Sequence, residues 1–209
     1  MSLPTHPSLP GLLLDGVEFG DADAAWPVAA TRSIHSSPYL SLAIDTIVDP
    51  GGAQHERTVV KPYGAIGVVA LDDQDRVLLV EQYRHAVGKR LLEIPAGTLD
   101  IPGEERQAAA ARELSEEADI VASTWESLLE LYATPGYSSE HWEVFLANDL
   151  SPTPHDLLTT RVAEEADMRQ LWVPFDQALT AIDNGRIQDT MTVAAILAVA
   201  RRRVTNQPV

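Results

Sequence analysis

The hydrophobic pattern of the chain predicts a series of short strands, one acidic helix and two closing helices. Residues 39–48 are rich in β-branched side chains, and the turn residues after them indicate a hairpin whose second strand includes residues 58–60. Apolar runs predict further strands at residues 64–71, 76–83, 91–94, 127–132, 142–147 and 169–173. This order of elements predicts an α/β fold in which helices cover a mixed sheet.

The three predicted helices have different compositions. The first occupies the C-terminal half of residues 93–120, where a long alanine run contains neither Gly nor Pro. The second covers residues 175–183. The third covers residues 188–203 and ends in arginines, which we expect to be solvated and to complement the helix dipole. Its apolar stripe is predicted to consist of Val193, Ile196, Leu197 and Ala200.

Composition and periodicity divide the chain into three segments, and composition excludes several classes of protein. Residues 1–37 have little periodicity and predict an extended arm, residues 38–62 a hairpin subdomain, and residues 63–209 the main domain. The formal net charge of −16, from 31 acidic and 15 basic residues, argues against nonspecific binding to nucleic acid or to an anionic membrane. There is no cysteine, and no apolar stretch is long enough to span a bilayer. Because Leu12–Leu14 lacks the basic flank of a secretory signal, we expect a soluble cytoplasmic protein.

Three glutamates lie on one side of the first predicted helix. Glu113, Glu116 and Glu117 have the spacing i, i+3 and i+4, which brings like charges together at a cost of a few tenths of a kcal/mol per pair. One interpretation is a solvated acidic face. The other is a site for Mg²⁺ or Mn²⁺, which bind carboxylate oxygens and retain several waters.

The residues around these glutamates resemble the Nudix box. Gly97, Glu104 and the run Arg112-Glu113-Leu114-x-Glu116-Glu117 match that signature. Two departures are visible: six residues rather than five separate Gly97 from Glu104, and Asp119 stands where the box has its second Gly. Asp tolerates the left-handed conformation that ends a helix better than most residues, so we expect Asp119 to adopt it.

The resemblance implies a fold and an activity. It predicts the Nudix α/β/α sandwich with a mixed sheet over about residues 63–203, preceded by a small antiparallel N-terminal β subdomain. The flanking segments 81–85, 135–140, 164–168 and 185–187 resemble the ADP-ribose pyrophosphatase branch. That branch cleaves ADP-ribose to AMP and ribose 5-phosphate with a divalent metal. Related enzymes act on GDP-mannose, NADH or ADP-sugars, and some Nudix domains bind nucleotides without catalysis.

The resemblance also assigns the metal site. Glu113 and Glu117 would be the principal ligands of Mg²⁺, for which Mn²⁺ could substitute, and Glu116 would share that role. The backbone carbonyl of Ala96 would supply a further oxygen. Arg112 is expected to orient the glutamates by ion pairing. Glu104 either supports this arrangement or is simply a glutamate favoured in the first helical turn.

Catalytic and substrate-binding residues are expected outside the helix as well. Glu140, in the loop after the sixth predicted strand, is the candidate general base, although its type and place also fit an exposed loop carboxylate. Arg84 is the candidate clamp for a substrate phosphate or the terminal ribose, with a surface arginine as the alternative. Glu93 and Tyr137 complete the expected substrate site, and Glu116 and Arg112 are grouped with Glu140 in catalysis. The resemblance further implies a homodimer in which the N-terminal strands cross between subunits.

Overall fold

The computed structural model describes residues 4–14, 19–159 and 167–205, and these contain ten strands, three α-helices and two short 3-10 helices. In chain order the elements are β1 (Val28–Ser36), β2 (Leu40–Val48), β3 (Gln54–Pro62), β4 (Ala65–Ala70), β5 (Arg76–Arg84), β6 (Lys89–Glu93), β7 (Ala96–Thr98), α1 (Arg106–Ala118), β8 (Ile120–Tyr132), β9 (His141–Pro152), β10 (Arg169–Pro174), α2 (Phe175–Asp183) and α3 (Thr190–Thr205). The segment 164–166, part of the resemblance noted above, lies outside the described residues. None of the described helices is long and apolar enough to cross a membrane.

The N-terminal sheet is antiparallel with the strand order β1-β2-β3. The predicted hairpin is present, and its strands pair over their full length from Leu40 with Pro62 to Val48 with Gln54. Strand β1 lies on the other side of β2, within the segment expected to be an arm without periodicity. All nine of its residues are exposed, so no alternation of apolar and polar positions marks it in the sequence.

The main domain is an α/β/α sandwich, as the sequence predicted. A four-stranded sheet has the order β7-β4-β9-β8, in which β4 and β9 are parallel and the other pairs antiparallel. A second, antiparallel sheet has the order β10-β5-β6. Alternate residues of β4 face opposite layers: Val68 packs in the cluster that contains α1, and Val69 in the cluster that contains α2 and α3.

Helix α1 ends in the conformation predicted for Asp119. This residue has φ 56° and ψ 36°, which is left-handed, and its N–H donates to the carbonyl of Ser115 at 3.0 Å. The Asp119 carbonyl then accepts from the N–H of Thr153 at 2.8 Å. Asp therefore performs at this position the helix-ending function for which the box uses Gly.

Helix α3 packs most of its predicted apolar stripe against the core, with one exception. Ile196 is buried, and Val193 and Ala200 pack against the core cluster of which it is part. Ala195 and Val199 are buried beside it, whereas Leu197 is 44% exposed, so the inclusion of Leu197 in the stripe was wrong. The helix is apolar on most sides, and hydrophobicity alone could not fix its rotation. Polar contacts of Thr192 fix it instead. Its Oγ1 accepts from the N–H of Ile94 at 2.9 Å and donates to Asp189 Oδ2 at 2.8 Å.

The arginines at the end of α3 were expected to be solvated, and two of them make specific contacts instead. Arg202 Nη2 donates to the carbonyls of Ser127 and Leu128 at 2.8 and 2.6 Å, where the β8–β9 pairing shifts register. The Arg203 guanidinium lies 3.9 Å from the ring centroid of Phe175 and pairs with Asp75. Both arginines therefore attach α3 to other elements of the domain.

We predict that Thr192→Val destabilises the protein by about 1–3 kcal/mol, because it leaves the Ile94 N–H without an acceptor in a fully buried position. Urea unfolding would measure this change in the free energy of unfolding. An unchanged dependence of that free energy on urea concentration would show that the substitution does not alter the unfolded state. Thr180→Val is the matched control, since Thr180 is exposed on α2, and it should change stability by less than about 0.5 kcal/mol. Equal stability of the two variants would contradict the role given to Thr192.

Candidate functional site

The glutamates of α1 lie against the short strand β7. A Cβ built on Gly97 would be 1.8 Å from Cδ of Glu113, so the Glu113 carboxylate occupies the space that a side chain at position 97 would take. Glu117 is 7% exposed, and its Oε2 accepts from the N–H of Ala96 at 2.9 Å. The helix and β7 are therefore packed together through these two carboxylates.

Arg112 connects the acidic groups around the start and middle of α1. Its Nε and Nη2 donate to the two oxygens of Glu104, each at 3.0 Å, and its Nη1 donates to Glu113 at 2.7 Å and to Glu116 at 3.1 Å. Hydrogen bonding to Glu104 is the largest cause of a raised pKa of Arg112, and the same contact lowers the pKa of Glu104. Because α1 begins at Arg106, the interpretation of Glu104 as a first-turn glutamate is wrong.

The charged form of Glu113 is disfavoured by its surroundings. Burial raises the pKa of Glu113, and the nearby Arg112 offsets that effect only in part. A partly buried carboxylate of this kind is stabilised by a cation that binds beside it. The expected donors (Glu113, Glu116, Glu117 and the Ala96 carbonyl) are all oxygens, which suits Mg²⁺ or Mn²⁺. Within the described ranges no three acidic or histidine side chains are already converged as a metal cage, and two of the glutamates are hydrogen-bonded to Arg112.

A cleft of about 390 Å³ opens beside β7. Its lining joins the box to residues from distant parts of the chain, including Arg84, Glu93, Ala96, Gly97, Glu140, Trp142 and Asp189. The structure therefore brings together three of the residues that the sequence proposed for catalysis and substrate binding, Arg84, Glu93 and Glu140. The metal-site residues Ala96 and Gly97 form part of the same wall.

Arg84 and Glu93 pair with each other inside this cleft. Glu93 is 5% exposed, and its carboxylate accepts from Arg84 Nε at 2.9 Å and from Arg84 Nη2 at 2.5 Å. Hydrogen bonding to Glu93 is the main cause of a raised pKa of Arg84. The guanidinium edge that would grip a phosphate through two donors is thus already occupied by a carboxylate.

Tyr137 is placed elsewhere. Its side chain is 58% exposed, and it lines a separate cavity against the N-terminal sheet rather than the cleft. Its backbone carbonyl accepts from the N–H of Val60 in β3 at 2.8 Å. The described structure therefore does not bring Tyr137 to the other candidate substrate residues.

Asp189 lines the cleft and was not singled out from the sequence. Its Oδ2 accepts from the backbone N–H and the hydroxyl of Thr192, each at 2.8 Å, which caps the start of α3. The Asp-x-x-Thr spacing before an apolar helix is a capping signal and could have located this residue. Its position in the cleft, in contrast, depends on the packing of α3 against β6 and could not be inferred from spacing.

Comparison with known proteins places these features in a family context. The model of the NUDIX domain matches residues 61–193. An ADP-ribose pyrophosphatase of Mycobacterium tuberculosis (strain ATCC 25618 / H37Rv) is 38% identical over 182 residues, covering 85% of this chain and 84% of that protein. A methanol dehydrogenase activator of Bacillus methanolicus is 31% identical over 166 residues, covering 79% and 88%. A crystal structure of an ADP compounds hydrolase has a TM-score of 0.74 and 19% identity, covering 91% of this chain and 100% of that one, and supports the fold.

We predict that Gly97→Ala weakens Mn²⁺ binding by about 10–100-fold, the range seen when groups that orient metal ligands are lost. The added Cβ would overlap the Glu113 carboxylate and displace it. Mn²⁺ titration followed by electron paramagnetic resonance would measure the affinity, and circular dichroism the fold. Gly20→Ala is the control, because nothing lies within 4 Å of a Cβ at that position. A Gly97→Ala protein with unchanged Mn²⁺ affinity would show that Glu113 is not a ligand.

Proposed function

The chain belongs to the Nudix hydrolase family, and from that premise we propose that it hydrolyses the diphosphate linkage of ADP-ribose to give AMP and ribose 5-phosphate. The observation that carries this proposal is the cleft that joins Ala96 and Gly97 of the box to Arg84, Glu93 and Glu140. The M. tuberculosis relative, an ADP-ribose pyrophosphatase, supports the choice of substrate. A methanol dehydrogenase activator is similar to the chain as well, and a substrate panel distinguishes the two relatives.

The Arg84–Glu93 pair favours an uncharged part of the substrate at that end of the cleft. A guanidinium paired with a carboxylate has almost no net charge, and Asp189 adds a further negative group to the same lining. Such a wall suits hydroxyl groups, which both donate and accept hydrogen bonds, better than it suits a phosphate. We therefore assign Arg84 and Glu93 to a ribose of ADP-ribose and place the diphosphate toward β7 and α1.

The acidic face of α1 would hold the metal. Glu113, Glu116, Glu117 and the Ala96 carbonyl are the groups expected to bind Mg²⁺, or Mn²⁺ in its place. When bound, the ion supplies positive charge near the diphosphate and lowers the pKa of a bound water. Arg112 keeps Glu113 and Glu116 oriented through its Nη1 donors and holds Glu104 with the rest of its guanidinium.

Glu140 is assigned the role of general base. It is half-buried and belongs to the lining of the same cleft as Ala96 and Gly97, which supports this assignment. Its carboxylate would accept a proton from the attacking water as the water oxygen bonds to one phosphorus and the bridging P–O bond breaks. The products are AMP and ribose 5-phosphate.

We also propose a homodimer in which β1, the outer strand of the N-terminal strands expected to cross between subunits, pairs with a second copy while β3 stays bonded to Tyr137 of its own chain. Every residue of β1 is exposed in the single chain, including Val28 at 54% and Ile34 at 46%. Tyr39, between β1 and β2, is 78% exposed. A sheet edge with exposed apolar side chains is unfavourable in a monomer, and pairing with a second copy would cover it.

We predict that ADP-ribose gives the highest kcat/KM in a panel with GDP-mannose, NADH, ADP-glucose, diadenosine polyphosphates and 8-oxo-dGTP in the presence of Mg²⁺. Tenfold discrimination requires only about 1.4 kcal/mol of differential transition-state binding. Removal of the metal with EDTA should abolish the activity, and Mg²⁺ or Mn²⁺ should restore it. A different best substrate would reject the ADP-ribose assignment, and no hydrolysis of any member would indicate a nucleotide-binding module without catalysis.

Two variants would show that this activity depends on the acidic face. Glu113→Gln should lower turnover by orders of magnitude, because it removes an expected metal ligand next to Gly97. Glu105→Gln makes the same chemical change at the exposed residue before α1 and should have little effect. Equal activity of the two variants would contradict the proposed metal site.

We predict that the protein sediments at twice the mass of one chain and that Ile34→Asp shifts it to a monomer. The new charge would be buried without a partner if β1 lies in the interface. Val204→Asp is the matched control, since Val204 is 66% exposed on α3, outside the N-terminal sheet. Sedimentation velocity over a range of concentrations would measure both. A dimer that survives Ile34→Asp would place the interface elsewhere.

A further inference from the structure

The loop that carries Glu140 is attached to the N-terminal sheet of the same chain. This loop, residues 133–140, connects β8 to β9, and we refer to it as the Glu140 loop. Val60 of β3 forms a parallel bridge with Ser138. The Val60 N–H donates to the carbonyl of Tyr137 at 2.8 Å, and the N–H of Ser139 donates to the carbonyl of Val60 at 3.1 Å. Glu140 is the next residue after this bridge.

Strand β3 can make these bonds without losing its own pairing. In an antiparallel pair, alternate residues direct both backbone groups away from the partner strand. Val60 lies opposite Leu42 in the β2–β3 ladder, and its N–H and carbonyl are both used by the loop. Val60 is thus one of the outward-facing residues of the edge strand β3, and the bridge uses groups that β2 does not need.

Within the Glu140 loop the N–H groups of Tyr137 and Ser138 donate to the carbonyl of Thr134 at 3.1 and 2.9 Å, but these bonds do not attach the loop to the N-terminal sheet. A cavity of about 360 Å³ lies between it and the sheet, lined by residues of both. Pro135, Gly136 and Tyr137 are exposed, so dense apolar packing does not hold the middle of the loop. At its base the N–H of Ala133 donates to the carbonyl of Glu140 at 3.0 Å, and the N–H of Glu140 donates to Ser138 Oγ at 3.1 Å. The bridge to Val60 therefore fixes the loop at Tyr137 and Ser139, close to the contacts at its base.

We propose that β3 is a positioning element for catalysis and that the backbone of Val60 holds Glu140 at the cleft through the Glu140 loop. This rests on the proposed function, in which Glu140 is the general base. Val60 does not line the cleft that holds Glu140, so it acts through the loop. The N-terminal sheet then has a role inside its own subunit, in addition to any contact with a second copy.

The test removes the bridge without removing the strand. Val60→Pro deletes the N–H that donates to Tyr137, and proline is tolerated on an edge strand where the lost N–H faces outward. We expect kcat for ADP-ribose to fall by about 10–100-fold, as for a small displacement of a reacting group, with Mn²⁺ affinity unchanged. Val60→Ala keeps the N–H and should retain kcat. Ser139→Pro removes the second bond from the loop side and should reproduce the Val60→Pro effect.

Thr58→Pro is the matched control. Thr58 lies opposite Ile44, two residues before Val60 on β3, so its N–H also faces away from β2. In the part of the chain described here its backbone makes no hydrogen bond to the Glu140 loop. The same substitution at this position should therefore leave kcat near the wild-type value. A loss of kcat as large as that of Val60→Pro would assign the effect to proline in the strand and overturn the proposal.

A double-mutant cycle separates positioning from general damage. Glu140→Gln alone should lower kcat by about 10²–10⁴-fold if Glu140 is the base. Adding Val60→Pro to Glu140→Gln should then cause little further loss, because residues that act through one group are not additive. A full additional loss in the double variant would show that Val60 does not act through Glu140.

Hydrogen exchange distinguishes failure of this inference from failure of the proposed function. Exchange at the Ser139 amide can be followed without substrate, and it should be faster in Val60→Pro than in Thr58→Pro or the wild type. Faster exchange in a protein that hydrolyses no member of the panel would retain the attachment and reject the enzymatic role. Unchanged exchange would overturn the attachment itself, whatever the substrate proves to be.

Discussion

The site depends on how closely α1 approaches the sheet beneath it. The helix presents small side chains there, with Ala109, Ala110 and Ala118 packed in one cluster with Ile66 and Phe145 of β4 and β9. This short distance lets the Glu113 carboxylate enter the space left by the absent Cβ of Gly97. Burial of that charge is unfavourable unless a cation is near, and the guanidinium of Arg112 provides one. One guanidinium paired with three carboxylates leaves the junction net negative, which is the condition under which a divalent ion binds.

Much of the fold follows from local sequence features such as helix propensity, turn residues and hydrophobic periodicity. The errors lie where these features do not distinguish one structure from another. The α1 region, the Asp119 helix end and the α2 limits were predictable because alanine content, turn chemistry and periodicity agree there. Strand β1 was missed because all of its residues are exposed and carry no alternation. Leu197 was wrongly included in the buried stripe of α3 because a helix that is apolar on most sides is oriented by polar contacts. The contact that matters here joins Thr192 to Ile94, 98 positions away in the sequence.

The candidate site likewise has features that the sequence predicted and features that depend on the fold. Arg112 and the α1 glutamates lie within one helix, so their spacing alone indicated a cluster. The pairing of Arg84 with Glu93 depends on the register of β5 and β6. Of the two groups predicted for Arg84, a phosphate or the terminal ribose, this pairing favours the ribose, because the pair has almost no net charge. Tyr137 shows the opposite outcome, since a residue close to Glu140 in sequence is directed toward the N-terminal sheet by the loop between them. Proximity along a loop says little about which surface a side chain reaches.

The two halves of the site are therefore held by different kinds of structure. The carboxylates of α1 are fixed by a helix packed on a sheet, whereas Glu140 follows a loop whose outer attachment is the backbone of β3. The sheet order β1-β2-β3 puts that attachment on one edge and the exposed strand β1 on the other. A partner that pairs with β1 would leave the β3 edge available to the Glu140 loop. Such a contact would still stiffen the sheet that bears the loop, so assembly at one edge and positioning of the base at the other are compatible and can be energetically coupled through β2.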